Sequence, residues 1–368
     1  GPALARRSRG ARTPFPDRTR RALGPASEQG PGPCYLAPMA NLAVRLGPLL
    51  ARSPIFSASG TFGHGREMEP FVDFGSLGGL VSKTVTLRPR GGNPAPRLCE
   101  TELGLINSIG LENRGLDAYL SETLPGMAGL DCLVVTNVGG HADREFVELA
   151  ERLSERPEID ALELNLSCPN VDDGKLPLAT DPRRAEAVVS AVRARCSKPL
   201  WAKLSPNVTR IGEMAKAVEA GGADAVTAVN TVLGLALDWR TRRPGVNTVQ
   251  GGYSGPAIKP IALRCAWECA QAVAIPVIGC GGIVRASDAL EFLVAGCSAV
   301  QFGTASFSDP ARIGRLAAEM EALLDEAGIA DVNDLVGSLQ DGRQRLPRPR
   351  PGGPLTPPAE AARGGACV

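Results

Sequence analysis

Histidine and aromatic residues are scarce in this 368-residue sequence, which contains two histidines and 4% aromatic residues. A histidine-led catalytic triad or a histidine-ligated metal site is hard to build from His64 and His141 alone. Neither sign of charge is in excess, since 40 Lys and Arg stand against 39 Asp and Glu. No basic stripe is interleaved with aromatic residues, so nucleic acid is not expected as a partner.

Long apolar runs are also missing, since no stretch approaches the roughly 20 residues that a membrane-spanning helix needs. The ten cysteines are dispersed and form no Cys-x-x-Cys pair, which is typical of a reduced cytosolic protein. Cys265 and Cys269 lie one helical turn apart, but no second pair accompanies them to complete a zinc or iron–sulfur site. We therefore expect a cytoplasmic protein without a membrane segment and without a metal site.

The two ends of the sequence differ in composition from the rest. Residues 1–38 are rich in Arg, Pro and Gly, hold almost no acidic residue and show no apolar periodicity, and residues 341–368 have the same composition. Such segments bury too little apolar surface to offset the entropy lost on ordering, so both are predicted to be disordered. An arginine-rich leader also resembles an organelle transit peptide, but its prolines and glycines disfavour an amphipathic helix. We favour a non-native or upstream-translated extension before Met39, which leaves residues 39–340 as one folded domain.

Between these ends, short apolar runs typical of strands alternate with amphipathic helical patterns. Nearly continuous apolar strands indicate a parallel sheet covered by helices, and eight repeats favour a closed (β/α)8 TIM barrel over an open sheet. The predicted strands are 54–57, 79–83, 132–137, 161–166, 200–204, 225–230, 276–279 and 299–303, and the predicted helices are 142–156, 182–195, 209–220, 260–273 and 286–295.

Polar residues and glycines collect at the ends of these predicted strands. The active site of such a barrel is built at the C-terminal ends of its strands, so these residues are expected to converge. The last two strands end in Gly281-Gly282 and Gly303-Thr304, whose backbone N–H groups suit a phosphate. A phosphate-bearing ligand is therefore predicted, and on this pattern sugar-phosphate isomerases and lyases remain open.

Cys168 is the leading candidate for a catalytic base. It follows the predicted strand 161–166, and neither a carboxylate nor a histidine occurs among the strand-end motifs. A lone cysteine is more often a small buried apolar residue, but charge from Lys83 or Lys203 would favour a thiolate that removes a weakly acidic C–H proton. Four side-chain amides complement a planar cyclic imide or amide. They belong to Asn107, Asn165, Asn170 and Asn230.

Seven motifs, in order and with matching spacing, resemble dihydroorotate dehydrogenase, and the resemblance runs from about Met39 to about Leu339. It implies an FMN-containing (β/α)8 barrel that oxidises (S)-dihydroorotate to orotate in de novo pyrimidine biosynthesis. The motifs are Ala58-Ser59-Gly60-Thr61-Phe62-Gly63, Ser82-Lys83-Thr84, Asn107-Ser108-Ile109-Gly110-Leu111, Asn165-Leu166-Ser167-Cys168-Pro169-Asn170, Lys203-Leu204-Ser205-Pro206-Asn207, Asn230-Thr231 and Ser254-Gly255-Pro256-Ala257-Ile258-Lys259-Pro260.

Details of the motifs resemble one class of this family. A cysteine base at position 168 resembles the soluble class 1 enzymes rather than the membrane-bound, quinone-linked class 2. The first and third motifs resemble class 1B, which passes electrons to NAD⁺ through a separate iron–sulfur flavoprotein subunit. The resemblance implies one FMN per chain, FAD and a [2Fe-2S] cluster only in the partner subunit, and a homodimer within a heterotetramer.

The resemblance also implies roles for individual residues. Cys168 would take the C5 proton of dihydroorotate while hydride leaves C6 for the flavin. FMN would be held by Ser59, Lys83, Thr84, Asn137, Asn165, Lys203, Val229, Gly255, Gly281, Gly282, Gly303 and Thr304. The pyrimidine would be held by Lys83, Asn107, Ser108, Ile109, Gly110, Leu111, Asn165, Asn170, Asn230 and Thr231.

Several alternatives remain open at the level of sequence. A flavin barrel similar to dihydropyrimidine dehydrogenase would act on uracil or thymine, but such relatives tend to carry a histidine-glycine segment where Asn170-Val171-Asp172-Asp173 stands here. Lys83 can pair with the carboxylate of dihydroorotate, which favours that substrate. A non-catalytic barrel would be expected to have lost the base or the flavin lysine. A class 1A enzyme would use fumarate as its electron acceptor.

Overall fold

Eight parallel strands form a closed barrel at the centre of the computed structural model, which describes residues 39–167 and 178–340. The strands are hydrogen-bonded in chain order, and the last pairs with the first to close the ring. The TIM barrel predicted from the sequence is confirmed. The barrel strands are β1 (Ile55–Ser57), β2 (Gly79–Val81), β3 (Leu133–Val138), β4 (Ala161–Asn165), β5 (Leu200–Leu204), β6 (Ala225–Ala228), β7 (Val277–Cys280) and β8 (Ala299–Phe302).

Helices pack around the outside of this ring. In α4 (Pro182–Arg193), Asp181 caps the first turn by accepting from the backbone N–H groups of Arg183 and Arg184, and proline occupies the first helical position. Each predicted helix is present with ends within two residues of the prediction, and the helices Gly115–Ala118, Leu124–Met127 and Arg312–Glu326 are additions to the predicted set. The helices are α1 (Gly115–Ala118), α2 (Leu124–Met127), α3 (Asp143–Ser154), α4 (Pro182–Arg193), α5 (Ile211–Ala220), α6 (Lys259–Ala272), α7 (Ala286–Val294) and α8 (Arg312–Glu326).

A four-stranded antiparallel sheet, here called the lid sheet, grows from the loops that follow β2 and β6. Because both loops leave the C-terminal ends of barrel strands, this sheet belongs to the end of the barrel where the polar residues collect. The sequence pattern did not predict it. Its strands, in spatial order, are Leu98–Thr101, Gly104–Asn107, Gln250–Ser254 and Val232–Leu235, and two small hairpins pair Val44–Leu46 with Leu49–Ala51 and Leu237–Asp238 with Arg243–Pro244.

Two fully buried aromatic rings fill the barrel toward the N-terminal ends of its strands. Phe56 and Trp201 meet edge to face, with ring centroids 5.6 Å apart. Trp201 precedes Lys203 by two residues on β5, so it faces the interior nearer the N-terminal end. A Cβ at Gly79 would lie 2.4 Å from Phe56 Cε1, so a glycine is needed beside this ring.

Residues 1–38 and 341–368 lie outside the described residues, so the disorder predicted for these two segments stays a prediction. Within the described ranges, no helix combines the length and the apolar character that crossing a bilayer would require.

Candidate active site

Polar side chains from four barrel strands meet at the C-terminal end of the barrel. Thr84, which follows β2, donates from Oγ1 to Oδ1 of Asn137 on β3 over 2.6 Å. Asn230, which follows β6, donates from Nδ2 to Oδ1 of Asn165 on β4 over 3.2 Å. Thr84, Asn137 and Asn165 are buried, whereas Asn230 is half-buried. The structure therefore brings these four candidate residues into one site.

A carboxylate lies inside the barrel within the same network. Glu163, in the middle of β4, is fully buried. Its Oε1 accepts from Asn137 Nδ2 at 2.7 Å, and its Oε2 accepts from Thr227 Oγ1 at 2.7 Å and from Gln301 Nε2 at 2.5 Å. A buried carboxylate is tolerated when donors replace the water it has lost, and these three side chains supply them.

Lys203 is the buried cation of the site, with 3% of its surface exposed. Its Nζ donates to Gln301 Oε1 over 2.8 Å and lies 3.9 Å from Glu163 Oε1. The ammonium is therefore hydrogen-bonded to Gln301 and lies close to the carboxylate of Glu163. It retains N–H donor capacity for a ligand at the C-terminal end of the barrel.

Glu163 and Gln301 are functional candidates that the strand-end pattern does not predict, because both lie inside strands. A signal for Glu163 was present in its position between Leu162 and Leu164. In a closed parallel barrel both faces of a strand are buried, so a charged residue that alternates with leucines must lie inside the barrel or against the helices.

Cys280 lies at the end of β7 beside Lys203. Burial raises the pKa of the Cys280 thiol, while the charge of Lys203 and a hydrogen bond from it oppose the rise. Since the net direction of the pKa shift is upward, burial disfavours the thiolate form of Cys280.

The ends of β7 and β8 offer donors suited to a phosphate. Gly281 and Gly282 have φ angles of 125° and 77°, and a Cβ at Gly282 would lie 2.5 Å from the backbone N of Lys259. Gly303 leads into a short 3₁₀ turn, Thr304–Phe307. In that turn the buried hydroxyl of Ser306 has no hydrogen-bond partner among the described residues.

The loop 107–111 is held in one conformation by its neighbours. Asn107 Nδ2 donates to Gly252 O over 3.1 Å, and Ser108 O accepts from Asn93 Nδ2 over 2.9 Å. Leu111 has a φ of 55°, a left-handed conformation that side-chain-bearing residues rarely adopt. Asn113 Nδ2 donates to Leu111 O over 2.7 Å and supports this turn.

Leu111 of the loop 107–111 lies close to the buried residues Thr84 and Asn165, near Gly139. A Cβ added at Gly139 would lie 2.9 Å from Thr84 Cγ2, 3.6 Å from Leu111 Cδ1 and 3.8 Å from Asn165 Cβ. Side chains proposed for the cofactor and side chains proposed for the substrate are therefore neighbours around one glycine.

The remaining predicted residues differ in how closely they join this network. Lys83 and Ser59 are half-buried, and the backbone N of Lys83 donates to Gly63 O over 2.8 Å. Val229 is buried, and its backbone N donates to Cys280 O over 2.9 Å. Thr231 is half-buried beside the lid-sheet strand Gln250–Ser254. Ile109 is half-buried, and its carbonyl accepts from the backbone N of Asn93 over 3.0 Å.

Gly110 and Gly255 have left-handed φ angles of 76° and 104°. A Cβ at Gly255 would lie 2.7 Å from Gly104 Cα, so this glycine allows the chain that follows Ser254 to approach the lid-sheet strand Gly104–Asn107 closely. Cys168 and Asn170 lie outside the described residues. The described chain ends before them at Ser167, whose buried hydroxyl has no partner among the described residues.

His64 lies near this site without a hydrogen bond from its ring to the network described above. Burial lowers the pKa of His64, nearby Glu67 opposes the shift, and the charge of Lys83 adds to it. The ring centroid of His64 lies 5.6 Å from that of Tyr119. His64 is therefore a neutral imidazole close to Lys83. No group of three or more metal-ligating side chains occurs in the part of the chain that the structure describes.

Known proteins resemble this chain over most of its length. A family model described as dihydroorotate dehydrogenase matches residues 42–324. Similar curated relatives are catalytic subunits of dihydroorotate dehydrogenase B (NAD(+)). That of Trichlorobacter lovleyi is 50% identical over 299 residues and that of Geobacter sulfurreducens 48% identical over 300, covering 81% and 82% of this chain and 98% of each relative. A solved structure of DHODH from Eimeria tenella in complex with ferulenol has a TM-score of 0.68 at 22% identity, covering 83% of this chain and 89% of that one, and supports the fold.

Proposed function

The chain belongs to the dihydroorotate dehydrogenase family, and on this premise we propose that it oxidises (S)-dihydroorotate to orotate in pyrimidine biosynthesis. One observation in the structure supports this function most directly. Buried Lys203 and the amides of Asn137, Asn165 and Asn230 meet at the C-terminal end of the barrel. Such a set of donors and acceptors suits planar polar heterocycles rather than an open-chain sugar phosphate.

FMN fits the polar residues and glycines at the C-terminal end of the barrel. Lys203, Asn137, Asn165 and Thr84 would hold the ring, with Lys83 and Ser59 at its edge, and Val229 and Gly255 complete the proposed set. Gly281, Gly282, Gly303 and Thr304 would hold the phosphate, and the unpartnered hydroxyl of Ser306 fits a phosphate oxygen. When bound, FMN supplies the acceptor for the two electrons of the oxidation.

The substrate side of the site consists of the loop 107–111 and the ends of β4 and β6. Lys83 would pair with the carboxylate of the substrate. The amide and carbonyl groups of the substrate ring would be bound by Asn107, Asn165, Asn170, Asn230 and Thr231. Cys168 would hold the thiolate that removes the proton at C5. The buried hydroxyls of Ser108 and Ser167 have no partner among the described residues, which agrees with a polar ligand beside them.

Electrons have to leave this chain for another protein or a small oxidant. Gly279-Cys280-Gly281-Gly282 ends barrel strand β7 and does not open a dinucleotide-binding βαβ unit. The relatives are named catalytic subunits of an NAD(+) enzyme. We therefore propose a partner subunit that carries FAD and a [2Fe-2S] cluster, joined to a homodimer of this chain in a heterotetramer in the cytoplasm.

The visible spectrum of the purified chain tests the function. Flavin absorbance that bleaches with dihydroorotate under anaerobic conditions, and not with dihydrouracil, is the expected result. Bleaching with dihydrouracil alone would move the assignment to the dihydropyrimidine dehydrogenase-like alternative, and a colourless protein that cannot be reconstituted with FMN would contradict both.

The electron acceptor is tested with the same preparation. The chain alone should reduce dyes or oxygen with dihydroorotate but reduce NAD⁺ negligibly, and an iron–sulfur flavoprotein subunit should restore NAD⁺ reduction. Efficient NAD⁺ reduction without the partner would contradict the proposed heterotetramer, and efficient fumarate reduction would assign the chain to class 1A.

A further inference from the structure

The direction of the hydrogen bond between Gln301 and Glu163 follows from Lys203. An ammonium has donors and no acceptor, so the atom of Gln301 that faces Lys203 at 2.8 Å must be its carbonyl oxygen. The amide NH₂ of Gln301 therefore faces Glu163 Oε2 at 2.5 Å. Glu163 must accept at this position, and an ionised carboxylate satisfies that requirement together with the bond from Asn137.

We propose that Glu163 is a positioning residue for the bound flavin: its buried carboxylate orients the Asn137 amide directly and fixes the Lys203 ammonium through Gln301. This inference rests on the proposed function, because Asn137 and Lys203 are the residues proposed to hold the FMN ring. Glu163 accepts from Asn137 and, through Gln301, holds Lys203, so one carboxylate determines the placement of both.

A purely structural role explains this arrangement poorly. Barrels of this type are commonly filled by Val, Ile and Leu, and apolar residues would fill the same layer without burying two charges. Lys203 and Glu163 are 3% and 0% exposed, so each carries a desolvation cost that only precise pairing offsets. A requirement to hold Lys203 in a fixed position for a ligand would explain why the barrel contains this buried pair despite its desolvation cost.

The variant Glu163→Gln tests the inference because it keeps the size of the side chain and removes its charge. An amide at position 163 has one acceptor oxygen, so its NH₂ must face a donor from either Gln301 or Asn137. If Gln301 turns over to avoid this conflict, its own NH₂ faces Lys203. If Asn137 turns over instead, its amide is reversed relative to the proposed flavin, and its NH₂ faces the Thr84 hydroxyl. Each arrangement either leaves two donors facing each other or reverses the Asn137 amide, so the apoprotein should bind FMN about tenfold more weakly, as expected when one charge-assisted hydrogen bond is lost.

The exchange Glu163→Gln/Gln301→Glu restores every donor and acceptor. A carboxylate at position 301 accepts from Lys203 on one oxygen and from the amide at position 163 on the other. The oxygen of that amide still accepts from Asn137, and the Thr227 hydroxyl rotates to accept from its NH₂. Net charge is unchanged, so the exchanged protein should bind FMN with nearly the affinity of the parent.

Thr227→Val provides a matched control. It removes a third buried hydrogen bond to Glu163 but leaves the bonds to Asn137 and Gln301 in place. If Glu163 has only a structural role, Thr227→Val and Glu163→Gln should act alike, lowering the melting temperature without a selective effect on FMN. If the proposal is right, Thr227→Val lowers the melting temperature while FMN affinity stays close to that of the parent.

FMN dissociation constants from fluorescence titration of the apoproteins, with melting temperatures, decide between these readings. Weakened binding in Glu163→Gln that the exchange restores supports the proposal. Parent-like affinity in a folded Glu163→Gln protein overturns it, as does a folded exchange protein that binds no better than Glu163→Gln. If Glu163→Gln does not fold, the exchange alone is compared with the parent. Failure of the parent to bind FMN would instead contradict the proposed function.

Discussion

Asn230 and Asn165 connect two barrel strands that are not neighbours, since Nδ2 of Asn230 beyond β6 lies 3.2 Å from Oδ1 of Asn165 on β4, across the intervening β5. The bond uses one hydrogen of the Asn230 amide and one lone pair of Asn165. Asn165 Oδ1 also accepts from the backbone N of Ser167 over 3.3 Å, and Asn230 Oδ1 accepts from the backbone N of Thr231 over 2.9 Å. The Asn165 NH₂ and the second lone pair of Asn230 Oδ1 remain available to a ligand. The pair therefore presents donor and acceptor groups together at the mouth of the barrel.

Asn230→Ala should weaken substrate binding while leaving the flavin in place. The variant loses contacts proposed for the pyrimidine and one hydrogen bond to Asn165, whose own side chain stays in place for the flavin. We therefore expect KM for dihydroorotate to rise roughly tenfold with unchanged flavin content. Asn165→Ala is the comparison, because Asn165 is proposed to contact both molecules and its loss should reduce flavin content as well. Steady-state kinetics and the flavin-to-protein ratio measure both effects. Equal loss of flavin in the two variants would contradict the separate roles.

Cys168→Ala should retain FMN and lose turnover. Removal of a catalytic base typically costs about 10²–10⁴-fold in rate, whereas the contacts that hold the cofactor do not involve this side chain. Cys168→Ser should keep a small residual rate that increases with pH, since a hydroxyl is a weaker acid than a thiol. Anaerobic flavin bleaching in a stopped-flow instrument measures the chemical step. Oxidation of dihydroorotate at the parent rate by Cys168→Ala would show that another group is the base.

Gly110→Ala should disturb the substrate loop more than its backbone conformation alone requires. An alanine with φ near 76° carries the left-handed penalty of about 1–2 kcal/mol, and its Cβ would also lie 2.8 Å from the backbone N of Asn93. Gly129→Ala is the matched control, since Gly129 has a φ of 82° and open space around it. Gly110→Ala should be the less stable variant in urea unfolding and should raise KM. Equal stability and an unchanged KM would contradict this view of the loop.

His64 should make folding stability sensitive to mild acid. Burial lowers the pKa of His64 in the folded chain, so the unfolded chain binds a proton first as the pH falls through about 6.5. The parent should therefore lose stability below this pH relative to His64→Gln, which has no group to protonate there. Urea unfolding of both proteins at pH ~7.5 and pH ~5.5 measures the difference. A stability difference that is constant with pH would exclude this role for His64.

Sequence periodicity was sufficient for the barrel because the repeats share an apolar strand and, in five of them, an amphipathic helix. Asp181 and Pro182 begin α4, and apolar residues at helical spacing continue it. The lid sheet escaped prediction because its strands contain glycines such as Gly104 and Gly252, which are typical of turns. These strands are held by pairing with one another across two distant loops, and that pairing is invisible in any single segment.

The candidate site divides in the same way. Residues at strand ends, such as Thr84 and Asn230, could be proposed because a parallel barrel brings all strand ends to one rim. For Glu163 the sequence signals a charged residue inside a buried strand but not its partners, and for Gln301 the strand-end pattern gives no signal, because the roles of both depend on which side chains they face across the interior. For Cys168 the sequence remains the source of the assignment, since this residue lies outside the described ranges.

The packing of Phe56 against Trp201 inside the barrel affects how substrate and product can move. Among the described residues, these two rings fill the barrel toward its N-terminal end and block the interior there. Substrate and product would then enter and leave at the opposite end, which carries the lid sheet, and product has to leave before the next substrate can bind. The turnover rate then depends on the rate of product release as well as on the rate of the chemical step.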